Sequence, residues 1–175
     1  MRLFPWLPGL VGLLIGGSPA RAEVTAEIVD WGVVSGRTDR AISGDGGSGL
    51  EAAKPMNGVR YGERTDRIEA RLCRSFGMTI RLRSGDSALP RKVEVQALHP
   101  LFTRDDGATS RIDAFPSYVL DEGLSHIGFT FEKPWELAEG AWTIRVMARG
   151  REIASKAFTI TAQVGGAGSE CGKGA

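Results

Sequence analysis

Two histidines and two cysteines, His99, His126, Cys73 and Cys171, are the imidazoles and thiols that this chain of 175 residues offers for metal or nucleophilic chemistry. His99 stands beside Pro100 and could pair with the acidic turn Asp105-Asp106 or with Asp113, so an acid–base or metal site would be built from His99 and Asp105. Such a site needs a second ligand or an activating partner at a recognisable spacing, and neither histidine has one; solvent-facing imidazoles are expected at both. The cysteines lack a CxxC spacing or a neighbouring histidine, and no GxSxG or HExxH motif occurs. The acidic pairs Asp105-Asp106 and Asp121-Glu122 fall in turn-like sequence, where such residues serve the backbone, and a glycosidase needs two carboxyls facing each other across a sugar. Neither a catalytic residue nor a metal site nor a cofactor is therefore expected.

Binding chemistry is better represented. Trp31 and Trp135 lie near strand ends, where an indole can stack on a sugar or anchor a partner, although Trp135 after Pro134 also reads as a corner packed beneath the domain. The glycine run at 44–49 satisfies GxGxxG only formally. A dinucleotide fingerprint needs a strand before it and a long helix after it, whereas Pro55 stops the short run that follows.

The elements that would hold these residues are strands. At 127–131, 142–148, 76–82 and 93–97, apolar and polar residues alternate with period two, the mark of a strand with one buried face. His99-Pro100 reads as the stop of the 93–97 strand. Residues 68–72 read as a short strand with Cys73 on its polar side, and 112–120 as a poorer one, placed at a sheet edge because Pro116 lacks an N–H. Residues 23–34 change phase midway, as a strand would that passes from one sheet to the other. The odd spacing of Ile153 and Phe158 predicts a bulge near Ser155 or an outward Ile153. Seven to nine strands at intervals of about ten residues, with no helix beyond a turn or two, give an all-β antiparallel immunoglobulin-like sandwich, with a small β-barrel as the alternative. Trp142, Phe129, Phe131, Phe76 and Phe158 are its expected core.

The first 22 residues carry Arg2, a short apolar run and Ala20-Arg21-Ala22, the pattern of a secretory signal peptide cleaved after Ala22. Cleavage removes two of the 22 basic residues and none of the 21 acidic ones, leaving 20 against 21 and a net charge of −1. That balance argues against a nucleic-acid partner, and the first 22 residues hold too short an apolar run for a lasting membrane anchor. The domain is expected over 23–162 with a glycine-rich loop at 35–58, followed by a flexible tail at 163–175. In an oxidising compartment Cys73 and Cys171 form a candidate disulfide, with two free thiols as the alternative.

The segments TDRIEARL (65–72), SFG (75–77), HP (99–100), FEKPWEL (131–137) and GAWTI (140–144), with EIVDWGVV (27–34), resemble the bacterial domain family of unknown function numbered 3859 over about residues 25–160. The resemblance implies an all-β domain with no established activity and no site residues to carry over. The function expected is that of an exported, periplasmic or secreted, non-catalytic interaction or accessory module. Its partner would be another envelope protein, met through an edge strand or the 35–58 loop. The alternatives are a small-ligand or carbohydrate-binding protein using Trp31 or Trp135 and, more remotely, a hydrolase or metal site near His99.

Overall fold

The structure, a computed structural model, describes residues 23–37, 59–85, 88–120 and 122–163. The expected leader, almost all of the 35–58 loop, and the tail with Cys171 lie outside these residues.

Nine strands among the described residues form two sheets. One contains β1 (Val24–Arg37), β2 (Val59–Glu63), β4 (Ser75–Ser84) and β7 (Leu124–Thr130) in the order β2-β1-β4-β7. The other contains β3 (Arg67–Glu69), β5 (Lys92–Thr103), β6 (Thr109–Tyr118), β8 (Gly140–Ala148) and β9 (Arg151–Thr161) in the order β3-β9-β8-β5-β6. Every neighbouring pair is antiparallel except β3 with β9. The separate sheets decide for the sandwich over the barrel.

Between them lies an aromatic core. Trp142 on β8 faces Phe129 at 5.0 Å and Phe131 at 5.8 Å between ring centroids, both edge-on. Phe76 on β4 meets Phe158 on β9 at 5.1 Å, again edge-on. All five expected core residues are buried. Each contributes about 1.5–3 kcal/mol through burial, and each edge-on pair about 0.5–1.5 kcal/mol more. The indole N–H of Trp142 donates to the Ala138 carbonyl at 3.0 Å, so the largest core side chain leaves no polar atom unmet.

Several local expectations are corrected. β1 stays in one sheet: Ile28 pairs with Ile80 and Asp30 with Thr79, so Val29 is an extra residue, and this bulge rather than a change of sheet reverses the phase. β5 does not stop at His99-Pro100. It continues to Thr103 through an irregularity in which Leu98 opposes Ile112 and Phe102 opposes Ser110, so three β5 residues face Arg111 alone. The bulge expected near Ser155 is present on β9 at Ile153, between the pairs Val146–Ala154 and Met147–Glu152. The expected 68–72 strand is only Arg67–Glu69.

β6 is an edge strand, as Pro116 requires. Val119 N–H donates to Arg91 O at 3.0 Å while Tyr118 O accepts from the Ser125 hydroxyl on β7 at 2.9 Å. Odd-numbered residues at this end of β6 therefore bond toward β5, and even-numbered ones turn outward. Pro116 is even, so its missing N–H removes no bond from the ladder.

Candidate functional site

The residues with chemical potential gather where β5 turns into β6. Gly107, at φ 81, closes a tight turn in which Gly107 N–H donates to Arg104 O and Arg104 N–H to Ala108 O, both at 2.9 Å. The excess residues of β5 swing His99 into the interior, where it is buried and not solvent-facing. There its Nε2 lies 3.1 Å from Asp113 Oδ2, and its Nδ1 lies 2.7 Å from the Pro100 carbonyl oxygen. Arg104 Nη2 donates to the other Asp113 oxygen at 3.1 Å. Phe102 stacks on the His99 ring at 3.6 Å and meets Trp135 edge-on at 5.5 Å.

Asp113 is thus the acid that His99 finds. Asp105 is exposed in the turn and belongs to no such arrangement. Both ring nitrogens of the imidazole lie within hydrogen-bond reach of oxygen atoms of its own hairpin. What this cluster does well is fasten β5 to β6, with Asp113 as the anion between His99 and Arg104.

Trp135 sits half-buried on a 3-10 turn, Pro134–Glu136, with the Arg104 guanidinium 5.7 Å from its ring. The buried Glu136 carboxylate beneath it accepts the backbone N–H groups of Glu132 and Lys133 at 2.6 and 2.9 Å, which fixes the corner. Trp31 lies elsewhere, half-buried on β1. The Arg64 guanidinium stands 4.4 Å from its ring and the Lys156 ammonium 4.6 Å. Since Lys156 belongs to β9 and Trp31 to β1, the indole bridges the two sheets. The structure brings His99 and Trp135 together through Phe102, and leaves Trp31 and Asp105 apart from them.

A further polar group escaped the sequence. On the four-stranded sheet the Tyr61 hydroxyl lies 2.8 Å from His126 Nδ1 and 3.3 Å from Thr79 Oγ1. Tyr61 is on β2 and His126 on β7, with β1 and β4 between them, so the two side chains must lie flat to meet across about 14 Å. The row Gly32, Gly77, Gly128, in register across β1, β4 and β7, borders this strap. Burial pushes the Tyr61 phenol well above the usual tyrosine range, and the nearby Asp30 carboxylate adds to the rise against the Thr79 hydrogen bond. Only the outward phase of His126 hinted at it. Among the described residues no group of three or more His, Cys, Asp or Glu converges as a metal site.

A family model described as "Domain of unknown function (DUF3859)" matches residues 25–160. The chain belongs to this family. The DUF3859 domain therefore takes in the nine described strands, but for Val24 and Thr161 at their outer ends, and every cluster described above. A crystal structure of an immunoglobulin-like protein from Pseudomonas aeruginosa is similar in fold, with a TM-score of 0.60 at 19% identity, covering 81% of this chain and 99% of that one. No match was found among curated proteins. This member of DUF3859 is accordingly an immunoglobulin-like β-sandwich, and its one buried histidine lies against Asp113 and Pro100 of its own β5–β6 hairpin.

Proposed function

We propose that this chain is an exported, non-catalytic interaction module of the cell envelope, and that it meets a protein partner along the β5–β6 edge. One observation carries the reading. The large hydrophobic residues left exposed among those described are Leu101 at 48% and Ile112 at 50%, and both lie on this hairpin at a free sheet edge. Ile112 and Ala114 share the outward backbone parity of β6, so they offer both an apolar surface and peptide groups to an extended segment. Pro116 limits the pairing to a short register. The partner best matched is a short extended stretch of another envelope protein with apolar side chains at alternate positions, held in a transient contact.

Support for export comes from the leader-like first 22 residues and from the cysteine pair Cys73 and Cys171, which we read as a disulfide formed outside the cytoplasm. The test is recovery of interacting proteins from the native envelope in mild detergent, comparing the native protein with Ile112→Lys and Leu101→Lys. A stoichiometric partner lost from both variants, each with an unchanged melting curve, is the expected result. A partner kept equally by native and variant proteins would refute the edge. Retention of a small molecule with quenching of tryptophan fluorescence would turn the reading toward a ligand-binding protein.

A further inference from the structure

Along one flank of the sandwich, β1 and β9 are each left without a covering strand. β2 pairs with residues 33–37 of β1, and β3 with residues 159–161 of β9. In the facing sheet β9 runs alongside β1, since Arg151 Nη1 lies 3.9 Å from Glu23 Oε1 and the Lys156 ammonium 4.6 Å from the Trp31 ring. The uncovered stretches, 24–31 on β1 and 151–158 on β9, therefore lie one above the other. Ala26 and Ile28 on the first and Ile153 and Ala154 on the second pack against the core yet stay half-buried, so the mouth between the sheets is apolar here.

The backbone of β9 is free to pair along this mouth. Thr159 N–H donates to Asp66 O at 2.7 Å and Thr161 O accepts from Ala70 N–H at 2.8 Å, so odd-numbered residues of β9 turn their peptide groups toward β3. Before β3 begins, the same parity points those of Ser155 and Ala157 outward, and both residues are exposed. Lys156 between them pairs with the buried Ile144 and sends its side chain to the inner face. There its ammonium meets the rings of Trp31 and, at 5.8 Å, Phe158, while no carboxylate among the described residues stands within ion-pair distance. The neighbouring Arg64 is already engaged, with Nε donating to Asp30 Oδ1 at 3.1 Å and Nη2 to Val29 O at 3.0 Å.

We propose that this flank is a second acceptor edge, and that it takes an extended segment of a partner protein bearing a carboxylate two residues from an aliphatic side chain. Laid beside β9, such a segment exchanges peptide hydrogen bonds with Ser155 and Ala157. Its alternate side chains share one face, so a carboxylate that reaches Lys156 puts the aliphatic group over Ile28 and Ile153. An inward charge on an edge strand repels indiscriminate pairing and admits the segment that brings the opposite charge. Two copies of this chain paired here would bring their Lys156 ammonium groups together on one face, which disfavours self-association. The flank lies at the opposite end of the five-stranded sheet from β6, and the inference does not rest on the β5–β6 reading.

Selection of a displayed library of random linear heptapeptides on the purified protein tests it. Enriched peptides should share an acidic residue two positions from an aliphatic one. Binding of the synthesised winner should slow amide exchange at Ser155 and Ala157 by about tenfold or more and leave Ile112 and Ala114 unchanged. Lys156→Gln keeps the stem over Trp31 and drops the charge, so it should weaken that peptide by about tenfold. Ala157→Pro removes an outward N–H that no ladder bond uses, so it should keep the melting curve and abolish binding. If either variant fails to fold, the exchange map of the native protein decides. No enrichment, or enrichment without an acidic residue, would overturn the proposal and leave Lys156 as a guard of the edge. Slowed exchange at Ile112 and Ala114 in place of Ser155 and Ala157 would overturn it in favour of the β5–β6 edge alone. A dimer in sedimentation that Ala157→Pro makes monomeric would overturn it as well, with a second copy as the occupant.

Discussion

Replacing Asp113 by alanine removes the anion shared by His99 and Arg104, and the structure sets the size of the loss. The Asp113 side chain is 9% exposed and that of His99 0%, so the His99 arm of the pair is dry. The Arg104 arm is 36% exposed on its cationic side and is partly screened by water. Deleting the carboxylate leaves a buried ring nitrogen of His99 without its partner, and a buried polar group left unmet costs about 1–3 kcal/mol. A partly exposed pair contributes no more than about 1 kcal/mol. The His99 arm therefore dominates, and Asp113→Ala should destabilise the domain by about 3 kcal/mol. For a domain of this length that lowers the melting temperature by roughly 6–12 °C. Thermal and urea unfolding followed by circular dichroism measure it, with Asp105→Ala as the comparison. That residue is exposed in the turn, and its loss should stay within about 0.5 kcal/mol. A cost below about 1 kcal/mol for Asp113→Ala, or equal costs for the two variants, would refute the reasoning, since the cluster would then fasten nothing.

Other consequences can be checked on the same material. Gly77→Ala should cost about 3 kcal/mol in urea unfolding, because a Cβ there would overlap the Ile127 carbonyl and lie 2.5 Å from Gly128 Cα, both backbone atoms that cannot swing away. Gly107→Ala meets nothing within 4 Å and should cost only the left-handed strain, about 1 kcal/mol. Tyr61 holds its proton more tightly folded than unfolded, so its contribution is complete below the ordinary tyrosine value of about 10 and is lost as pH rises beyond it. Tyr61→Phe should flatten that alkaline fall in an unfolding series and lower stability at neutral pH by about 1 kcal/mol, the usual net value of a hydrogen bond.

Much of the architecture was legible because period-two alternation on β4, β7 and β8 reports burial directly, and Pro116 marks an edge by lacking a donor. Bulges were legible only as broken phase. At Val29 one extra residue gives the same pattern as a strand changing sheets, and only the pairing with β4 distinguishes them. His99-Pro100 read as a stop because a regular ladder needs the proline N–H, yet within an irregular stretch facing Arg111 alone no ladder bond is asked of it. The partner of His99 depended on the β5–β6 register, which carries Asp113 inward and leaves Asp105 in the turn. The Tyr61–His126 strap joins the outer strands of a sheet from residues 65 apart in the chain, a proximity that local pattern does not encode.

The proposed role is tested most directly by placing a photo-crosslinking amino acid at Ile112 in one strain and at Arg60, exposed on the opposite edge strand β2, in another, then irradiating intact cells. The account predicts one discrete crosslinked protein from position 112 and none from position 60. Crosslinks of equal yield from both positions, or none from 112 in cells that export the protein normally, would contradict it.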